Sequence, residues 1–429
     1  MWDKYVYCGC GVTKPSVWAY NIRTGEKTQI LPDEARRGTG WGRASKRIDG
    51  HVYIYGNGDR HWRVTGLQLE RVGKVAGLPA LQLDDGAHVF ADDQAGLNRQ
   101  YLLVTRDGKR STVPFDYTAS GTPLWSLIEG PDGRIYGNTH TPITLFAFDP
   151  ATGKTHVYGD PVEHAGQIYS WMWHKGRLHM AAYSKCTYTI WDPGRPWNFG
   201  TEAGNNPRRL GKTSRHVQRA NAMMLAPDGQ HVFVGGLPSY GRVGGALAIV
   251  DPDAPQFEVI ERPVEPQSPW TLATTPDPTV IVIGTSTYGG SSTRQALKPG
   301  RVVFWDWQRR QKVGELTPWD DETVIGSLLR LGNELWVCSA PKGKIAVYNF
   351  AAGKIVHMAD YGCGPGRMRL RESDGKIYAS MAGRIVCIDP ATRRHEIIGT
   401  YPDLHAAIAF TGKHLYAFAG TNLLRFRLE

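Results

Sequence analysis

The chain has 429 residues, 41% of them hydrophobic and 21% charged, with Gly 50, Pro 27 and a net charge of +10. That apolar content excludes a disordered chain, and no apolar run approaches the roughly 18 residues that a membrane helix needs. Lys and Arg are scattered with no run of five or more, which argues against nucleic acid and leaves an anionic membrane surface or an acidic polysaccharide as partners the charge suits.

Helix-period stretches are nearly absent, and a β-prone phrase recurs instead. Arg134-Ile135-Tyr136-Gly137 with Leu145-Phe146-Ala147-Phe148-Asp149-Pro150 is one copy. His231-Val232-Phe233-Val234-Gly235 with Ala246-Leu247-Ala248-Ile249-Val250-Asp251-Pro252 is another, and Lys376-Ile377-Tyr378 with Ile385-Val386-Cys387-Ile388-Asp389-Pro390 a third. A period of about 40 to 45 residues built from four short strands is that of a propeller blade. The fold expected is therefore all-β, a β-propeller forming a single domain over 1–429.

The chain opens on Met1-Trp2-Asp3-Lys4 and runs into a strand, Tyr5-Val6-Tyr7-Cys8, with no secretion signal. A periplasmic or secreted protein with its leader removed and a cytoplasmic one are both compatible with this. Residues 41–115 read as two less regular blades around 51–55 and 88–92. From there the innermost strands are predicted at 124–129, 167–173, 220–225, 271–275, 325–331, 367–371 and 406–410. Several lead into Pro-Asp-Gly turns, as at 131–133 and 227–229, where a tight hairpin needs a positive φ. The chain begins on what reads as a second strand and ends on a third at 423–428. Closure by strands from both termini is expected, with eight blades and seven or nine as alternatives.

The six cysteines (Cys8, Cys10, Cys186, Cys338, Cys363, Cys387) include no CxxC, and those in apolar strands read as buried thiols. No metal set or cofactor is expected. Asp320-Asp321-Glu322 or Asp92-Asp93 could hold a structural divalent cation, although a solvated acidic turn is the simpler reading. Gly362-Cys363-Gly364-Pro365-Gly366 lacks the following helix of a phosphate loop. Tyr288-Gly289-Gly290-Ser291-Ser292 reads as a flexible loop or lid. His88, His179, His231 and His414 sit beside or within strands, as packing residues do, and Tyr136, Phe146, Phe148, Trp305 and Trp307 read as core. Oligomeric state is not readable.

In a propeller, function sits on the loops of one face. Those loops carry His140, His164, Gln167, Tyr183, His216, Gln218, Arg219, Asn221, Tyr240, Trp270 and Tyr288. A solvated or structural role is the ordinary one for any single residue of this kind; several on adjacent blades make a pocket. The set is poor in carboxylates, with only Glu163 nearby, so a glycosidase pair is missing. Arg grips a carboxylate and Trp or Tyr faces stack on a sugar, which suits β-elimination at a uronic acid. A cation neutralises the carboxylate, a His or Tyr takes the neighbouring proton, and a Tyr or His protonates the leaving oxygen.

Tyr136-Gly137-Asn138-Thr139-His140, Ile190-Trp191-Asp192-Pro193-Gly194-Arg195-Pro196-Trp197, Gln218-Arg219 and Pro238-Ser239-Tyr240-Gly241-Arg242-Val243-Gly244-Gly245-Ala246-Leu247 carry a resemblance. In them the chain resembles bacterial β-propeller proteins related to the polysaccharide lyases acting on ulvan and on rhamnose–glucuronate linkages. By position, the resemblance implies His140, Tyr183, Arg219 and Tyr240 as catalytic residues. Such lyases often carry a further His one strand pair earlier, where this chain has Ser120 and Thr122; His164 or His216 would have to substitute. The remaining candidates, His164, Gln167, His216, Gln218, Asn221, Trp270 and Tyr288, would bind substrate. A non-catalytic propeller that binds an anionic glycan or a protein is the alternative. A metal-dependent lactonase-like propeller would need loop carboxylates that are scarce here.

Overall fold

The computed structural model describes residues 4–428 except 13, 39, 58–59, 74–80, 91–99, 115–120, 163–165, 214, 255, 292, 294–298, 362–365 and 382. The described chain is all-β, with propeller-like four-stranded antiparallel sheets and one 3-10 turn at Asp33–Ala35. It divides into two compact units, Met1–Ser120 and Gly121–Glu429.

The first unit holds three four-stranded sheets, two of them the irregular blades expected within 41–115. Tyr5–Val12 is not left waiting for a strand from the other terminus. It pairs with Ser16–Asn21 on one side and with Gly40–Trp41 on the other. Gly9 and Gly11 permit that approach, since a Cβ on either would lie 2.3 and 2.2 Å from the carbonyl oxygens of Gly42 and Gly40. The last sheet of the chain, Ala409–Thr411, His414–Ala419 and Asn422–Arg427, takes all three of its described strands from the C-terminal stretch. Among the described residues, then, no sheet combines strands from the two termini.

In the second unit each sheet is laid down in chain order from its first strand outward. The first strands are Leu124–Glu129, Ile168–His174, Arg219–Leu225, Ser268–Thr274, Val324–Leu331, Gly366–Arg371 and Ala409–Thr411. They lie close to the innermost strands expected from the sequence. The fourth and fifth sheets touch through one backbone pairing, Ser286 with Val324.

Second strands are apolar on both faces because each sheet is covered on both sides, and side chains alternate across a strand. Val232 and Val234 pack toward the second sheet, while Phe233 between them packs toward the fourth. Trp336 and Cys338 face the sixth sheet, while Leu335 and Val337 face the fourth. Outermost strands have a covered side only in part, and Lys354–Asp360 alternates exposed and half-buried residues accordingly. Tyr416 and Phe418 of the last sheet pack with Leu127, Ile135 and Phe146 of the first. The Leu124 N–H also donates to Gly420 O at 2.8 Å, and Thr411 Oγ1 donates to Gly133 O at 3.1 Å.

One irregularity recurs where it matters for function. Strand pairing skips Trp125, Tyr169, Trp270 and Gly326, each at the start of a first strand, and skips Asn221 together with Ala220. A β-bulge re-aims the unpaired residue and bends the strand. A cavity of about 460 Å³ is lined by residues of all seven first strands or their approaches, among them Glu129, Trp173, Met223, Leu272, Ser327, Arg369 and Ile408.

Candidate functional site

Tyr183 lies in the loop between Arg177–Ala182 and Thr187–Trp191. That loop turns through Lys185 and Cys186 at φ 57° and 47°, a left-handed conformation that costs a non-glycine residue roughly 1 kcal/mol or more. Surrounding bonds hold it there: Lys185 N donates to Gln218 Oε1 at 3.3 Å, and Thr213 N donates to Lys185 O at 3.0 Å. Gly166 packs against the Tyr183 ring, leaving no room for a side chain of its own. The ring is therefore aimed by its surroundings.

The aim brings Tyr183 onto Tyr240, whose hydroxyl is in hydrogen-bond contact with the Tyr183 hydroxyl. Arg219 lies over both rings, its guanidinium carbon 5.2 Å from the Tyr183 centroid and 5.8 Å from that of Tyr240. Arg219 also donates to Ser291 Oγ at 3.2 Å. Ser291 belongs to the loop expected to be a lid, but its described part is docked: Gly290 N donates to Arg242 O at 2.9 Å and Gly241 N donates to Ser291 O at 3.0 Å. Burial and the Tyr183 hydrogen bond push the Tyr240 phenol up to about 12, against the opposing charge of Arg219. Tyr240 thus holds its proton. Burial also raises Tyr169, and the Arg219 cation partly offsets this.

His140 reaches the same neighbourhood by another route. The Gln167 amide nitrogen lies 3.0 Å from His140 Nε2, and Trp125 stands edge-on to both His140 and Tyr169, at 5.1 and 5.5 Å. An amide nitrogen only donates, so the His140 Nε2 lone pair is occupied by Gln167. Trp270 and Tyr288 pair at 6.0 Å.

Two candidates look inward instead. His216 is buried, with Nε2 3.1 Å from Glu261 Oε1, and burial lowers its pKa despite that carboxylate. Gln218 is buried and supports the Tyr183 loop. Asn221 lines the cavity with its side-chain nitrogen buried and without a hydrogen-bond partner. His164, Glu163 and Asp92-Asp93 lie outside the described residues. Among those described, no group of three or more His, Cys, Asp or Glu is placed to hold a metal, and no helix is long and apolar enough to cross a membrane.

Trp125 and His405 were not among the candidates, yet both border this face. A signal did exist for Trp125. It precedes Ser126 as Tyr169 precedes Ser170, Trp270 precedes Thr271 and Gly326 precedes Ser327, so aligning the repeats marks one bulged position per blade. No known family model matches the chain, and no curated protein matches it.

Proposed function

We propose that the second unit is a seven-bladed propeller closed by its last sheet against its first, with a lyase site on one face. Closure is supported by the Tyr416 and Phe418 packing and by the cavity that all seven blades line. The reaction proposed is cleavage of a glycosidic bond beside a uronic acid by β-elimination. The observation that carries it is the placing of one arginine over two tyrosines whose hydroxyls touch.

Arg219 pairs with the uronate carboxylate and withdraws charge as the neighbouring carbon becomes enolate-like. Tyr183, reacting in this scheme through its phenolate oxygen, takes the proton from that carbon. The electrons form the C4–C5 double bond and expel the C4 oxygen, which takes the Tyr240 proton. The contact between the hydroxyls then returns the proton from Tyr183 to Tyr240, restoring the pair. Because Gln167 occupies the His140 lone pair, His140 orients substrate in this scheme.

Uronate-containing glycans incubated with the protein should yield an unsaturated product absorbing in the near ultraviolet. No absorbance change across a broad panel would overturn the reading. The competing reading, a propeller that binds an anionic glycan or protein without turnover, is favoured by the blocked His140 nitrogen; binding without absorbance change would establish it.

A further inference from the structure

Three arginines follow one another along one face of the strand Gly366–Arg371. Arg371 donates to Asp374 Oδ2 at 2.6 Å and to Gly412 O at 2.9 Å. Arg369 pairs with Glu129 and donates to Ile408 O at 3.3 Å. Arg367 has neither a hydrogen bond nor a carboxylate among the described residues, although its neighbours two and four positions on have both. It opens into a cavity of about 290 Å³ that it shares with Trp125, Tyr169, Asn221, Trp270 and His405. Arg367 is exposed, and the packing around it still lowers its pKa through partial desolvation. A cation walled into a cavity without a carboxylate partner is free to make a charge-assisted bond with an anionic ligand.

We infer that this cavity is a second carboxylate site, separate from Arg219, which holds the acid group of a single sugar-acid residue on Arg367. The sugar-acid class rests on the functional reading above; the carboxylate partner rests on Arg367 alone. The rest of the lining fits that occupant. Three of the bulged aromatic positions, Trp125, Tyr169 and Trp270, present rings on which the C–H face of a sugar can lie. The Asn221 side-chain nitrogen is a buried donor without a partner. His405 accepts from Ala407 N through Nδ1 at 3.3 Å, and burial together with Arg367 lowers its pKa to about 4. It is therefore neutral near pH 7, carries its proton on Nε2 and offers a further donor to a hydroxyl. Ligand cavities span roughly 300–1,000 Å³, so this one, at the small end and sharing Ser126, Asn221, Trp270, Gly326 and Arg367 with the cavity of about 460 Å³, has room for one ring.

The test is isothermal titration of the intact chain with glucuronate, glucose and acetate. Free glucuronate has no glycosidic bond to eliminate, so binding is read apart from lyase chemistry. Glucuronate should bind more tightly than either glucose or acetate. With Arg219 replaced by Met so that its own carboxylate contact is silent, Arg367→Met should weaken glucuronate about tenfold or more, since a charge-assisted contact is lost. In that background, equal binding of glucuronate with and without Arg367 would overturn the site. Acetate binding as tightly as glucuronate would overturn the sugar-acid assignment. Glucuronate binding that depends on Arg367, in a protein inactive on every glycan, would remove the lyase reading and leave this site standing.

Discussion

Tyr183 and Tyr188 are five residues apart, and each has its hydroxyl on another titratable ring. Tyr188 lies within a strand, fully buried, with its oxygen 2.8 Å from Nδ1 of the equally buried His179. Burial drives the two groups apart, raising Tyr188 well above its ordinary value and lowering His179 to about 3. Both are locked neutral, and the pair cements the second sheet. Tyr183 sits on the loop between those strands, and there its partner is another phenol with a guanidinium over both rings. The same residue type serves structure in the strand and, in the reaction proposed above, serves chemistry in the loop. The difference between the two pairs is the guanidinium that lies over the rings of the loop pair.

That contrast is tested most sharply at Tyr240. If the loop pair moves protons, Tyr240→Phe should cost roughly a thousandfold in rate, within the range for a lost general acid, with glycan binding retained. A variant that turns over normally would place the proton transfer elsewhere. The next largest effect is expected at Arg219. Lys in its place supplies a point charge without the planar fork, so Arg219→Lys should lower the rate about a hundredfold, on the order of 3 kcal/mol, with the melting temperature nearly unchanged. A lowered melting temperature with unchanged binding of an acidic glycan would make Arg219 a structural residue.

The sequence makes the strands legible because every blade repeats one physical problem. A sheet covered on both faces needs apolar side chains at consecutive positions, as in Val232-Phe233-Val234, and that pattern survives in any blade. The Asp-Pro turns are legible for a local reason: Asp149 Oδ1 accepts from Ala151 N at 2.9 Å and Thr152 N at 3.3 Å, and Asp389 does the same for Ala391 and Thr392. Gly40–Trp41 is too short to give a periodic signal, so the strand Tyr5–Val12 seemed to lack a neighbour. On the channel face the difficulty was register. A bulge shifts the two-residue alternation by one, so Trp125 reads as a sheet residue although it borders the cavity. His216 and Arg367 depend on what stands opposite them, Glu261 for one and, among the described residues, no carboxylate for the other, and chain order does not carry that information.

The smallest of these effects concerns the buried half of the comparison. His179 has a folded pKa of about 3, lowered from 6.5 by burial in the apolar sheet. Above pH 6.5 the ring is neutral in the folded and unfolded chain alike, so it contributes nothing to the pH dependence. Between pH 6.5 and about 3 the unfolded chain takes up a proton that the folded chain refuses. Stability must fall as pH falls through this window, by up to about 1.4 kcal/mol per pH unit for one such group. Below the folded pKa both states carry the proton and the loss stops growing. His405, with a folded pKa of about 4, acts in the same direction over a narrower range. His179→Gln removes one of these contributions and leaves the other. Denaturant unfolding at a series of pH values should then show a shallower slope from pH 6 to 4, whatever packing change the variant brings at pH 8. A slope equal to that of the wild type would mean that His179 is protonated within the fold, and the contrast between the strand pair and the loop pair would not hold.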